Sequence, residues 1–395
     1  MSRKWHWLSW NADTDGLSRR SVRIFLAGTS LQPSYGGPAY SVARLAAALA
    51  EAGAEVGLWA SDQSALSVPL LNTHGSIRVL EGNAAEALEK FGNIDVLHDN
   101  GIWLPHNHRL AVSAAQRRIP RVVSTRGMLE PWAAGHKRLK KNIAWWLYQR
   151  RDLQRAQLIH TTATQEARNL ERLGLSVPAC VIPNGVDVPE ICTGGAAGAK
   201  VAVGEPGQRT ALFLGRIYPV KGLPMLIEAW ARVRPVGWRL QIAGPDEAGH
   251  RAEVERAISV AELRDVVSFL GPVEGEAKTA ALFGAELLVL PSHSESFGMA
   301  VAEALAHGVP VLTTTGTPWA ELTERGCGWW VAPAVDGIAD GLRQATSQEA
   351  AALRTLGAKG RAWVVAEFGW KAVANKFLRA YEQLMAQSHG LQSVR

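Results

Sequence analysis

The chain has 395 residues, a formal net charge of +6, 47% hydrophobic residues and 20% charged residues. This is an ordinary globular composition, and the length suits two domains better than a single core. The three cysteines lack the Cys-x-x-Cys spacing of a zinc site, and no apolar run approaches the roughly 20 residues of a membrane span. We therefore expect a soluble, cytoplasmic protein without a disulfide framework.

The positive charge is concentrated in the first half of the chain. Residues 1–187 carry a net charge of +7, whereas residues 188–395 carry −1. Anionic lipid surfaces, lipid diphosphates and nucleic acid are each partners that such a field would attract.

Residues 1–20 contain three tryptophans among polar and basic residues. They lack the continuous apolar core of a secretory signal. We predict an N-terminal extension, either disordered or loosely docked. A weak membrane-interface role is the alternative, because tryptophan favours that layer.

Strand-like apolar runs alternate with helix-like segments over residues 21–188, which predicts an α/β domain. The strands are predicted over 22–27, 56–60, 77–80, 94–98, 122–125, 157–161 and 179–183. After the first strand, Gly36 and Gly37 precede a proline and a helix over 39–52, so the backbone can approach a ligand closely there. A simple tight turn would explain the same pattern.

Three polar residues near predicted strand ends of this half are candidates for a ligand site. His98 is the last residue of one predicted strand, Asn100 lies two positions after it, and Arg126 follows the next strand. A fixed cation at Arg126 suits an anionic acceptor or leaving group, although a structural salt bridge is an equal alternative. A lone histidine such as His98 is more often a structural hydrogen-bonding residue.

Residues 136–155 form the most basic segment, with seven lysines and arginines around two tryptophans. A basic helix with tryptophans is typical of a membrane-surface element, so we predict peripheral contact with an anionic membrane. Packing of the tryptophans on the core is the alternative. Nucleic acid fits less well, because no recognised binding motif accompanies the segment.

Residues 189–208 are rich in glycine and alanine and predict a linker. A second α/β domain is predicted over 209–369, with strands over 211–214, 239–243, 266–271, 287–290, 309–313 and 326–331. Residues 370–388 are predicted as a separate C-terminal helical segment, with an amphipathic helix over 371–385.

Arg216 and Lys221 follow the first strand of this second domain and lie five positions apart, a suitable spacing for a phosphate clamp. Gly215 and Gly244 end two strands, where a missing side chain lets the backbone approach a ligand.

The stretch from residue 287 to residue 315 carries the strongest pattern. A buried strand, Leu287–Leu290, is followed by a polar turn with Glu295 and then by a helix over 299–306 that carries Glu303. The helix start near Gly298 offers free amides and a positive dipole end to a phosphate. A carboxylate on either side of it would accept from hydroxyl groups, a layout that fits a nucleotide-sugar.

The pattern ProSerxxxGluxPheGly…GluAlaxAxGxProVal resembles that of the retaining family-four (group 1) glycosyltransferases, over roughly residues 22–386. The resemblance implies the GT-B fold: two doubly wound, Rossmann-like domains facing across a cleft, with the C-terminal helix crossing back to the first domain. It implies an acceptor-binding domain over 21–188 and a nucleotide-sugar-binding domain over 209–369.

The resemblance also implies residue roles. Catalytic roles fall to Glu295, Arg216 and Lys221, and contacts with donor or acceptor to His98, Asn100 and Arg126. The implied donor-binding residues are Gly36, Gly37, Gly215, Gly244, Val273, Ser296, Phe297, Gly298, Met299 and Glu303. Relatives often have histidine where this chain has Asn100 and Arg126.

The predicted reaction is transfer of a sugar from a UDP- or GDP-linked donor to a hydroxyl of a glycan or lipid-linked acceptor, with retained configuration. No Asp-x-Asp occurs within residues 21–388, so we predict a donor site that needs no metal and no cofactor. By analogy we expect a role in bacterial surface-polysaccharide or lipopolysaccharide assembly, at the inner face of the cell membrane. The alternatives are a sugar-nucleotide epimerase of the same fold and a non-catalytic module that binds nucleotide-sugar or membrane.

Overall fold

A computed structural model describes residues 21–32, 35, 37–68, 71, 75–129, 138–190 and 208–390. The predicted extension over 1–20, Gly36, residues 136–137 and most of the predicted linker lie outside these ranges. The chain divides into two compact units. Unit 1 contains residues 1–185 and 370–395, and unit 2 contains residues 186–369.

Unit 1 contains a seven-stranded sheet in the order β3-β2-β1-β4-β5-β6-β7. All its pairings are parallel. The strands are β1 (Arg23–Gly28), β2 (Glu55–Ala60), β3 (Ile77–Leu80), β4 (Val96–Asn100), β5 (Arg121–Ser124), β6 (Leu158–Thr161) and β7 (Ala179–Val181).

Unit 2 contains a six-stranded sheet in the order β10-β9-β8-β11-β12-β13, again with parallel pairings throughout. The strands are β8 (Arg209–Leu214), β9 (Trp238–Ala243), β10 (Val267–Gly271), β11 (Leu287–Leu290), β12 (Val311–Thr314) and β13 (Gly328–Val331). The central strand β11 is apolar and fully buried, as expected for a parallel strand covered on both faces.

Helices connect the strands of each sheet. In unit 1 they are α1 (Gly37–Glu51), α2 (Ala84–Phe91), α3 (Pro105–Arg117), α4 (Arg138–Ala144), α5 (Arg150–Gln154) and α6 (Thr164–Arg172), with a π-helical turn (Trp145–Gln149) joining α4 to α5. In unit 2 they are α7 (Leu223–Val233), α8 (Arg251–Val260), α9 (Gly275–Gly284), α10 (Met299–Ala306), α11 (Glu321–Glu324), α12 (Val335–Thr346) and α13 (Ala350–Glu367).

The C-terminal helix α14 (Trp370–Gly390) belongs to unit 1 and packs against α1. Its apolar side chains, including Val373, Phe377 and Tyr381, join the buried cluster beneath β1 and β2. The two parallel α/β units and the return of the last helix to unit 1 confirm the predicted fold class. None of the helices that the structure describes combines the length and the apolar character needed to span a membrane.

Candidate functional site

Two charged side chains meet in unit 2 where β8 and β11 end. Lys221 closes a short 3-10 turn (Pro219–Lys221) after β8, and its Nζ donates to Glu295 Oε1 at 2.5 Å. Ser292 Oγ donates to the same oxygen at 2.8 Å. The two charged side chains are 15% and 13% exposed. The pair is therefore shielded enough to fix both groups, yet still open to exchange with a ligand.

The backbone holds this loop in place. The Glu295 N–H donates to the Gly316 carbonyl at 2.9 Å, and the His293 N–H donates to the Val220 carbonyl at 2.8 Å. A Cβ on Gly316 would lie 2.3 Å from the His293 carbonyl oxygen, so only glycine allows this approach. Because parallel strands end at one edge of the sheet, these loops share the edge where α/β folds bind ligands.

Helix α10 begins beside the pair. Gly298 takes a left-handed conformation with φ 83° and occupies the N-cap position, where it offers no side-chain hydrogen bond to the first amides of the helix. The first turn of α10 contains no acidic residue. Its amides and the positive end of its dipole therefore suit an anion.

The Phe297 side chain lies in the core of unit 2, at 4% exposure, and contacts the rings of Trp319 and Phe368. The Trp319 Nε1–H donates to the Phe297 carbonyl at 2.5 Å. The predicted donor-binding role of Phe297 is thus restricted to its main chain. Met299 and Val273 are partly buried and pack against the same core, while Ser296 is half-buried.

Glu303 lies on α10, five positions after Gly298, and its Oε1 accepts from Lys278 Nζ of α9 at 3.0 Å. Lys278 is about one-third exposed and Glu303 is more buried. Both predicted glutamates therefore carry a lysine partner.

Arg216 does not join the Lys221–Glu295 pair. Its guanidinium forms an exposed ion pair with Glu247 and lies over the Tyr218 ring. Its diphosphate-binding role stays a prediction, because a ligand would have to compete with that carboxylate.

Gly244 has a packing role that the sequence did not reveal. A Cβ there would lie 1.9 Å from the Gly215 carbonyl oxygen, so the loops after β8 and β9 touch backbone to backbone. The φ angles of Gly215 and Gly244 are 156° and 144°. By contrast, a Cβ on Gly37 would meet nothing within 4 Å, so packing does not explain that glycine.

In unit 1, both ring nitrogens of His98 lie within hydrogen-bonding distance of protein groups, and the contact with donor or acceptor that the resemblance implies stays a prediction. Its side chain is fully buried, with Nδ1 2.6 Å from the Tyr381 hydroxyl and Nε2 2.6 Å from Ser124 Oγ. Ser124 Oγ lies 2.6 Å from His160 Nδ1, and His160 Nε2 lies 2.7 Å from the Ile182 carbonyl oxygen.

One arrangement of hydrogens satisfies this whole chain of contacts. The Ile182 carbonyl accepts only, so His160 carries its hydrogen on Nε2 and accepts from Ser124 on Nδ1. His98 then donates to Ser124 and accepts from the Tyr381 hydroxyl. Both rings are neutral, because burial holds the pKa of His98 well below its usual value and lowers the pKa of His160 to about 3.

Arg126 and Asn100 lie together at the carboxyl edge of the unit 1 sheet. The Arg126 Nε and Nη2 both donate to Asn100 Oδ1, at 3.2 and 2.6 Å, and Nη1 donates to Asn184 Oδ1 at 2.6 Å. Burial lowers the pKa of Arg126 to about 10, so it stays charged near neutral pH. Within the described ranges, no carboxylate forms an ion pair with it; the nearby charge of buried Glu166 acts at longer range.

Several neighbours of the site were not predicted from the sequence. Ser292 and Lys278 contact the two glutamates, and Asn184 contacts Arg126. The ProSer pattern in the sequence was a usable signal for Ser292. The lysine lies 25 positions before its partner, and nothing local marks it. Among the described residues, no group of three or more His, Cys, Asp or Glu side chains is arranged to hold a metal ion.

Comparison with known proteins matches each half of the chain to a family model. Residues 35–190 match the model Glycosyltransferase Family 4, and residues 200–363 match the model Glycosyl transferases group 1. A D-inositol 3-phosphate glycosyltransferase from Segniliparus rotundus is 33% identical over 218 residues, which are 51% of this chain and 46% of that protein. The chain spans about half the length of the curated relatives it matches.

Solved structures share the fold at low sequence identity. Anabaena HepE in complex with UDP and glucose has a TM-score of 0.74 and 18% identity, covering 92% of this chain and 100% of that one. Sucrose-phosphate synthase from Thermosynechococcus elongatus has a TM-score of 0.71 and 21% identity, covering 93% and 100%. The two halves of the chain are thus each similar to a glycosyltransferase family model, and the fold is shared with solved structures of this kind.

Proposed function

We propose that the protein is a retaining glycosyltransferase that moves a sugar from a nucleoside-diphosphate sugar to a hydroxyl of a glycan or lipid-linked acceptor. One observation carries the proposal. The Lys221–Glu295 pair adjoins the uncapped start of α10, and Glu303 lies on the same helix. A cation, helix amides and two carboxylates then lie together within a group 1 glycosyltransferase domain.

In this proposal the ion pairs are exchanged when the donor binds. The diphosphate settles on the α10 amides and takes Lys221 from Glu295, since a phosphate oxygen offers the lysine a stronger partner. Glu295 is then free to accept from hydroxyls of the donor sugar, and Glu303 accepts from ribose hydroxyls. Arg216 joins the diphosphate only by leaving Glu247.

The reaction forms a bond between the acceptor oxygen and the anomeric carbon as the bond from that carbon to the diphosphate oxygen breaks. The acceptor proton passes to the departing diphosphate on the same face, which retains the configuration. Lys221 and the helix amides stabilise the growing negative charge, the task that a metal performs in other transferases. We therefore propose turnover without a metal, which an unchanged rate in the presence of a chelator would support.

The proposed donors are UDP- and GDP-sugars. The Anabaena structure contains UDP and glucose, and the curated relatives are named for an inositol phosphate. Arg126, for which the described residues supply hydrogen bonds but no direct ion pair, suits such an anionic acceptor, or a lipid-linked phosphate. We place the enzyme at the inner face of the cell membrane, in surface-polysaccharide or lipopolysaccharide assembly, and this part rests on the positive charge of residues 1–187.

A donor screen tests the proposal. Thermal stabilisation is measured with UDP-, GDP- and ADP-sugars, and the best donor is then incubated with candidate acceptors. We expect one donor to stabilise the protein and Glu303→Ala to abolish that shift, while Glu321→Ala, at an exposed ion pair of the same unit, leaves it intact. NMR of the product reports the anomeric configuration. Donor binding without transfer to any acceptor would favour a binding module, and donor conversion without acceptor would favour an epimerase.

A further inference from the structure

The helical segment Arg138–Gln154 presents an apolar surface to solvent. Ile143, Trp146 and Leu147 are 54%, 80% and 69% exposed. Their spacing of three and four residues places them on one face of the helix. Three large apolar side chains exposed side by side are unusual for a helix whose only task is to cover a core.

The opposite face of the segment already packs against unit 1. Trp145 contacts the ring of Trp103, the Tyr148 hydroxyl donates to the Trp103 carbonyl at 2.6 Å, and Gln149 Oε1 accepts the Trp103 N–H at 2.7 Å. Trp145 and Gln149, the two ends of the π-helical turn, both contact Trp103 and therefore share this inner face. Packing therefore does not require the three exposed side chains.

Trp103 itself is held in a strained conformation, with φ at 80°. Such a backbone is rare for a bulky residue and persists only where neighbours fix it. Trp103 follows β4 at the carboxyl edge of the unit 1 sheet. The helical segment thus connects an exposed apolar face with the edge where α/β folds bind ligands.

Cations flank the apolar face. Lys140 precedes it, and Arg150, Arg151 and Arg155 follow it; all except Arg150, which is half-buried, are exposed. The only carboxylate between residues 138 and 155 is Asp152, which is buried and pairs with His108. The exposed face is therefore both apolar and uniformly positive.

We propose that this face, defined as Ile143, Trp146 and Leu147 with the cations beside them, docks on an anionic lipid membrane. The apolar side chains enter the interfacial layer, where tryptophan is favoured, and the cations bind lipid phosphates. A second copy of the chain is a poorer occupant, because two such faces would bring like charges together. Docking would bring the active site to its acceptor if that acceptor is lipid-linked, and this purpose rests on the proposed function. Membrane binding itself requires no turnover.

Co-sedimentation of the full chain with lipid vesicles tests the inference. Vesicles of phosphatidylcholine alone are compared with vesicles that also contain phosphatidylglycerol. We expect binding to the anionic vesicles only, and Trp146→Glu with Leu147→Glu should lower the partition coefficient about tenfold or more. Lys140→Gln and Arg151→Gln should each lower it about fivefold and reduce its salt dependence.

Trp146→Glu alone is also measured, and its matched control is Val236→Glu, which places the same single charge at a 97% exposed apolar residue of unit 2 and should leave vesicle binding unchanged. Donor-induced thermal stabilisation should persist in the Trp146 variant, so failure of docking is distinguished from failure of the transferase. Absence of binding to anionic vesicles, or equal binding by the Trp146 variant, would overturn the inference. So would light scattering that shows a dimer dispersed by Trp146→Glu without any vesicle binding.

Discussion

The carboxyl edges of the two sheets carry different kinds of polar side-chain contacts. In unit 1 the polar side chains at the strand ends are buried and bonded to one another, as in the chain from Tyr381 through His98 and Ser124 to His160. In unit 2 the strand ends are followed by glycine turns and by ion pairs that remain partly open to solvent, such as Lys221–Glu295.

This difference separates groups that hold the fold from groups that can exchange partners. A buried neutral network incurs a large desolvation penalty if it opens, so its members stay together. The Lys221–Glu295 pair keeps 15% and 13% of its side-chain surface open to solvent, so an incoming phosphate or hydroxyl can replace one member without leaving the other buried and unpaired. The binding chemistry is therefore expected mainly at the edge of unit 2, with Arg126 as the exception in unit 1.

The largest expected effect concerns Lys221. Lys221→Ala removes the cation proposed to stabilise the departing diphosphate, and we expect kcat to fall by about 10²–10³. Steady-state kinetics with the donor found in the screen measures this loss. Arg343→Ala removes a cation from a surface pair with Asp340 in the same unit and should change kcat less than about twofold. A Lys221→Ala variant with unchanged kcat would contradict the proposed role of Lys221 in stabilising the diphosphate.

The next effect is a pH dependence of unit 1. Burial lowers the pKa of both His98 and His160 in the folded protein, so the unfolded chain binds more protons below its own histidine pKa of about 6.5. The free energy of unfolding should therefore fall as the pH falls below about 6.5, by up to about 1.4 kcal/mol per pH unit for each histidine. For His160 this loss ends near its folded pKa of about 3.

Hydrogen exchange of β4, β5 and β6 as a function of pH measures this loss locally. Tyr381→Phe removes the hydroxyl that donates to His98 and should cost about 1–3 kcal/mol near neutral pH. It should also weaken the pH dependence, because the freed Nδ1 can then accept a proton. Exchange protection that stays constant from neutral to mildly acidic pH would contradict the neutral network.

A further prediction compares the cost of a side chain at two glycines in turns of unit 2. Gly237 has φ 74° and a Cβ there would meet nothing within 4 Å, so Gly237→Ala should cost only about 1–2 kcal/mol for the left-handed backbone. Gly244→Ala should cost at least about 2 kcal/mol more, because its Cβ would strike the Gly215 carbonyl and neither backbone can yield cheaply. Urea unfolding of both variants compares the two costs. Equal costs would mean that the loops after β8 and β9 do not touch.

Sequence patterns predicted the elements better than the contacts. The strand Leu287–Leu290 and the helix Met299–Ala306 are confirmed, because a buried apolar run and a glycine start are local signals. The contact of Lys221 with Glu295 joins residues 74 positions apart, and that of His98 with Tyr381 joins residues 283 positions apart. Residue types alone do not specify such partners, so the sequence offered His98 as either a structural hydrogen-bonding residue or a ligand contact, without identifying Tyr381 and Ser124 as its neighbours.

The smallest expected effect tests whether Lys278 restrains Glu303 or touches the donor itself. Lys278→Ala removes a partner that is about one-third exposed from Glu303 Oε1, so Glu303 should accept from ribose hydroxyls without competition. An ion pair of this exposure is worth less than about 1 kcal/mol, so donor affinity should rise no more than about fivefold. Calorimetric titration of the donor measures the change, with Arg232→Ala, at an exposed pair with Asp336, as the control. A loss of affinity in the Lys278 variant would instead indicate that this lysine is a second cation for the diphosphate. Unit 2 would then contribute a further ligand-binding group, which sharpens the contrast between the two sheets.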